Sequence, residues 1–106
     1  GGIGRMRQTC GAACGMFLLA GLEKGAVDGK DREGKAANYA LVQELAEEFK
    51  KRNGSMICAE WLGLKKPEGS STPEARTEQY YAKRPCAKMV EEAATIWAEY
   101  LEKQQE

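Results

Sequence analysis

The sequence predicts an all-α fold, a small bundle of three main helices plus one or two short helices, in a single helical domain spanning residues 1–106. Three observations carry that expectation. Apolar residues recur at three- and four-residue spacing in three long segments. Gly, Asp, Ser and Pro stand where helices start and stop. No stretch shows strand alternation, an internal repeat or a heptad run. A chain of 106 residues can bury one modest core.

The elements follow in order. Gly1, Gly2 and Gly4 let the backbone turn close to the start of the first helix. They lack the third glycine and the preceding strand of a phosphate-cradling loop, so that function is set aside. Thr9 is the expected N-cap, which makes Cys10 the first helical residue. The helix runs to about Lys24, Gly25 stops it, and Cys10, Cys14, Phe17, Leu18 and Gly21 share a face. After a glycine- and aspartate-rich turn, Asp31 caps a second helix over about Arg32 to Asn53. Tyr39, Val42, Leu45, Ala46 and Phe49 form its apolar side. Lys50, Lys51 and Arg52 suit the negative end of its dipole, and Gly54 ends it.

Ser55 is the expected cap of a short third helix, with Cys58 at its third position beside Trp61 and Leu62. Residues 63–73 have the Pro, Gly and Ser content of an exposed loop, and Thr72-Pro73 can start a short helix through Ala82. The last helix opens at Arg84-Pro85-Cys86, with Pro85 first and Cys86 second. Cys86, Val90, Ala93, Trp97 and Leu101 make one stripe, and the polar tail after Tyr100 is expected to fray.

Charge and composition narrow the function. Sixteen basic and sixteen acidic residues cancel, and no basic patch is interleaved with aromatics, so nucleic acid is not an expected partner. The longest apolar run, Met16 to Ala20, is too short to span a membrane, and nothing resembles a secretory leader. A cytoplasmic protein is expected. There, four cysteines point to metal, redox or packing roles before structural disulfides. With no histidine, the commonest general base and metal ligand is missing, and no haem is expected. A metal site must lean on thiolates, which favours an Fe–S cluster or zinc.

The cysteines are the candidate site. Cys10, Cys58 and Cys86 each fall in a first helical turn on an apolar side. Backbone N–H groups and the helix dipole there favour thiolate over thiol, and Arg5 and Arg7 add positive charge near Cys10. If those helix starts converge, the three are candidate catalytic thiols of a dithiol–disulfide couple. With Cys14, they are alternatively the cofactor- and metal-binding thiolates. Cys10 and Cys14 lie one turn apart, with Cβ atoms roughly 5–6 Å apart in a regular helix, too far for a relaxed disulfide. They could still share a metal. Spacing does not choose between cargoes, since paired Cys-x-x-Cys knuckles and ferredoxin spacings are absent. The competing reading is a non-catalytic helical interaction module, with cysteines as core packing and the Gly- and Ala-rich face of helix one against a partner subunit.

Three motifs occur in order: GGIGRMRQTCGAACG, in which Cys10-Gly11-Ala12-x-x-Gly15 forms CGAxxG; FKKRNGSMIC with Cys58; and RPCAKMV with Cys86. Together they resemble the C_GCAxxG_C_C family of redox-active proteins over most of the chain. The family's usual leading helix, with its Asn-Cys-Ala-like cysteine, has no counterpart here, and Cys14 occupies a variable position of the signature. This suggests a shortened piece, or Cys14 in place of the lost thiol. The resemblance implies redox chemistry at the cysteines. The family's likeness to a domain of split-Soret cytochromes further implies electron transfer or an Fe–S centre, with an electron-transfer protein as partner. A homodimer is also admitted.

Overall fold

The structure is a computed structural model that describes residues 1–63, 71–82 and 84–105. Among these are five helices, α1 (Gly11–Lys24), α2 (Arg32–Asn53), α3 (Cys58–Trp61), α4 (Glu78–Ala82) and α5 (Cys86–Gln104), and no strand longer than an isolated bridge. The all-α expectation holds. None of these helices is long and apolar enough to cross a membrane.

α1, α2 and α5 pack on one another in all three pairings. Ala13, Met16 and Ala20 of α1 meet Leu41, Leu45 and Phe49 of α2 and Met89, Ala93 and Ile96 of α5. α2 starts and stops as its sequence predicts. The Asp31 carboxylate accepts the Gly34 N–H at 2.9 Å, and Gly54, at φ 83°, donates its N–H to the Lys50 carbonyl at 2.6 Å. Only glycine enters that left-handed closing position without strain.

The buried faces differ from those expected. In α1 the core side is Ala13, Met16 and Ala20, whereas Leu18 is 71% exposed and Gly21 faces outward. At about 100° per residue, this side is turned by roughly 100° from the Cys10–Cys14–Gly21 face. Small Ala side chains let the neighbouring helices approach, so bulk alone did not reveal the inward side. In α2 Tyr39 is exposed and Leu41 takes its place, because Tyr39 lies roughly 120° from the centre of the Leu41–Leu45–Phe49 row. In α5 the inward row is Met89, Ala93 and Ile96, with Tyr100 packed against it. Val90 is 61% exposed and Cys86 is exposed, so the expected stripe is turned by about 70°. Both rows share Ala93 and both have helical period, and only contact with α1 and α2 selects one. α5 also remains helical to Gln104, past the point where fraying was expected.

Helix starts shift as well. Cys10, not Thr9, is the N-cap residue of α1, and Cys58 and Cys86 are the first residues of α3 and α5. α4 covers only Glu78–Ala82, where Thr77 Oγ1 accepts the Tyr80 N–H at 3.2 Å, while residues 71–77 are not helical. Most of the expected loop at 63–73 lies outside the described residues.

Candidate functional site

The site is made where two non-helical segments pair. Thr9 and Ile57 form an antiparallel bridge, in which the Cys10 N–H donates to the Met56 carbonyl and the Cys58 N–H to the Gln8 carbonyl, both at 2.8 Å. The Ala59 N–H continues the pairing to Arg7 O at 3.1 Å. Thr9 therefore serves the pairing rather than capping α1. Ser55 likewise caps no helix: its hydroxyl accepts the Ile57 N–H at 2.9 Å and donates to the Glu60 carboxylate. The pairing sets the starts of α1 and α3 side by side. α3 is anchored to the end of α2 by Trp61, whose ring meets Phe49 edge-on at 5.7 Å and whose Nε1–H donates to Asn53 O at 3.1 Å.

The N-terminal turn closes over this junction. Gly2, Ile3, Gly4 and Arg5 all have φ between 57° and 66°, and the Gln8 N–H returns to the Gly2 carbonyl at 2.8 Å. A Cβ on Gly2 would stand 2.6 Å from Cys58 Cβ and 2.7 Å from Arg7 Cα, so glycine is required there by both conformation and space. Arg7, also left-handed at φ 59°, is only 3% exposed, and its Nη1 donates to Cys58 Sγ at 3.7 Å. Arg5 instead reaches the Thr72 carbonyl.

Cys10, Cys58 and Cys86 line one cavity of about 30 Å³, together with Gly2, Trp61 and Met89 among others. That is room for about two waters, given the roughly 10–15 Å³ that each needs. All four cysteines are free thiols: Cys58 is buried, Cys10 and Cys14 are half-buried, and Cys86 is exposed. Cys14 is not among the cavity-lining residues. Cys10 does not occupy the first helical position expected of it, and Cys86 does not point into the core.

Arg7 donates to Cys58, a partner that the sequence did not name for it. Nothing in the local pattern signals this, because it depends on the pairing of residues 7–10 with 56–59. Zinc or an Fe–S cluster needs several thiolates around one centre. Among the described residues no group of three or more Cys, Asp or Glu is arranged to hold a metal ion.

Searches of curated proteins and of solved structures return no match. The family model for "Putative redox-active protein (C_GCAxxG_C_C)" matches residues 1–100. Because that match covers nearly the whole sequence, the chain belongs to the C_GCAxxG_C_C family.

Proposed function

We propose that the protein is a dithiol–disulfide redox protein in which Cys58 pairs reversibly with Cys86 or Cys10. The observation supporting this is the shared cavity: thiols from three separate helix starts border one small space. Exchange needs one attacking and one resolving thiol, and its co-reactant is an external disulfide or dithiol. Two electrons leave the protein thiols as that disulfide is reduced to two thiols, and return when the reaction reverses. Our reading puts the protein in the cytoplasm, where thiol pools supply such partners, with a thiol–disulfide protein as its electron-transfer partner.

The test is thiol counting with mass spectrometry after equilibration in reducing and oxidising glutathione buffers. One reversible intramolecular disulfide among Cys10, Cys58 and Cys86 is expected. Four thiols that stay reduced throughout, or that oxidise only between molecules, would reject the reading.

A second reading has its own observation. Leu18 and Leu22, 71% and 85% exposed, stand one turn apart on α1, and a Cβ added at Gly11 or Gly15 would meet nothing within 4 Å. Such a face suits association, including a homodimer. Light scattering of wild type against Leu18→Gln/Leu22→Gln tests it: a mass unchanged by the substitutions and equal to one chain would remove it.

A further inference from the structure

The three thiols of the cavity are not equivalent. Cys86 is exposed at the first position of α5, whereas Cys58 is 9% exposed and lies under the Gly2 turn. Among the described residues, the Cys58 sulfur accepts a hydrogen bond from the buried Arg7 guanidinium. Arg7 stays charged at any working pH, and a guanidinium N–H directed at the free sulfur is a contact that the reduced form holds and that bonding of that sulfur to another weakens.

We propose, resting on the dithiol reading above, that the couple is polar: Cys86 exchanges with the external disulfide, and Cys58 is the buried partner whose reduced sulfur Arg7 holds. In the oxidising direction Cys86 sulfur attacks R–S–S–R′. A Cys86–S–S–R bond forms, the S–S bond of the substrate breaks, and R′–S⁻ leaves and takes up a proton. Cys58 sulfur, giving up its proton, then attacks Cys86 Sγ; the Cys58–Cys86 bond forms, the Cys86–S–S–R bond breaks, and R–S⁻ leaves and takes up a proton. The protein dithiol is oxidised by two electrons and the external disulfide is reduced to two thiols. In the reverse direction an external thiolate attacks Cys86 Sγ and Cys58 is the leaving group, the role that a neighbouring guanidinium assists. Arg7 is thus a positioning residue that weights the couple toward its reduced form.

The test measures the dithiol–disulfide equilibrium of the full chain against glutathione, for wild type, Arg7→Gln and Arg7→Lys, with circular dichroism to check folding. Arg7→Gln is expected to shift the equilibrium roughly tenfold toward the disulfide, and Arg7→Lys to recover most of the wild-type value. An unchanged equilibrium in a folded Arg7→Gln variant that still forms Cys58–Cys86 overturns the proposal and leaves the dithiol reading standing. Failure of wild type to form that bond overturns the proposal, and absence of any intramolecular disulfide overturns the dithiol reading too. A second arm leaves Arg7 in place. Oxidised glutathione should be captured on Cys86 in Cys58→Ser, and far more slowly on Cys58 in Cys86→Ser. Equal capture at the two positions rejects the assigned polarity.

Discussion

The bundle and the cysteine junction are built on different principles. In the bundle, α1, α2 and α5 satisfy their own backbone groups within each helix and meet through apolar side chains. At the junction, residues 2–10 and 55–59 satisfy theirs through each other, five residues take positive φ, and a charged side chain is buried against sulfur. Left-handed conformations of non-glycine residues cost roughly 1–2 kcal/mol each. The apolar core lies in one region, and the left-handed backbone of the other is held by hydrogen bonds between segments distant in sequence.

That contrast can be broken in several places. The largest effect is expected in the bundle: Phe49, with no exposed surface, packs between the core and Trp61, so Phe49→Ala should cost about 3–5 kcal/mol in urea unfolding. A loss under about 1 kcal/mol would mean that α2 does not anchor the core as described. Gly2→Ala comes next. It introduces both left-handed strain and overlap with Cys58 Cβ, at about 1–3 kcal/mol, and should act locally. Alkylation of Cys58 is expected to speed up while far-ultraviolet circular dichroism stays unchanged, and a loss of helicity would show that the two regions are one cooperative unit.

A smaller change, about 1 kcal/mol, is expected from Asp31→Ala through loss of the cap to Gly34, read as a shift in the urea midpoint at constant slope. The smallest concerns Arg52, which donates to Glu48 at 2.7 Å and to Glu99 at 2.5 Å and so ties α2 to α5. Hydrogen bonding to Arg52 holds the Glu99 carboxyl below its ordinary value of 4.5, and the same bonds raise the Arg52 guanidinium further. A depressed carboxyl contributes stability above its unfolded value, and that contribution is lost as pH falls through the folded value. The gap in urea midpoint between wild type and Glu99→Gln should therefore close as the solution is acidified below the carboxylate range. It should also narrow in high salt, since the pair is exposed to screening. A gap that widens on acidification would contradict the assigned pairing.

Local chemistry made much of the bundle legible. Asp31 and Gly54 bound α2 at the expected residues because caps act within one turn. Rotation of the helices about their axes was less legible. Val90 and Cys86 fit a stripe as regular as Met89, Ala93 and Ile96, and Leu18 is a better apolar residue than the Ala13 that is buried. For the site, the three motif cysteines could be picked out as a group. The company each keeps could not: Cys14 sits apart from the cavity, and Arg7 reaches a thiol 51 positions away.

By itself the amino-acid order determined the helical class, the extent of α2 and the family, because periodicity, capping and motif spacing are short-range properties. Only the tertiary structure decided which face of α1 and α5 turns inward, that Thr9 pairs with Ile57 instead of capping, and that a buried guanidinium lies against Cys58. Those outcomes depend on which surfaces meet after the chain has closed on itself, and a helix of suitable period can be satisfied at more than one rotation until its neighbours exclude the others.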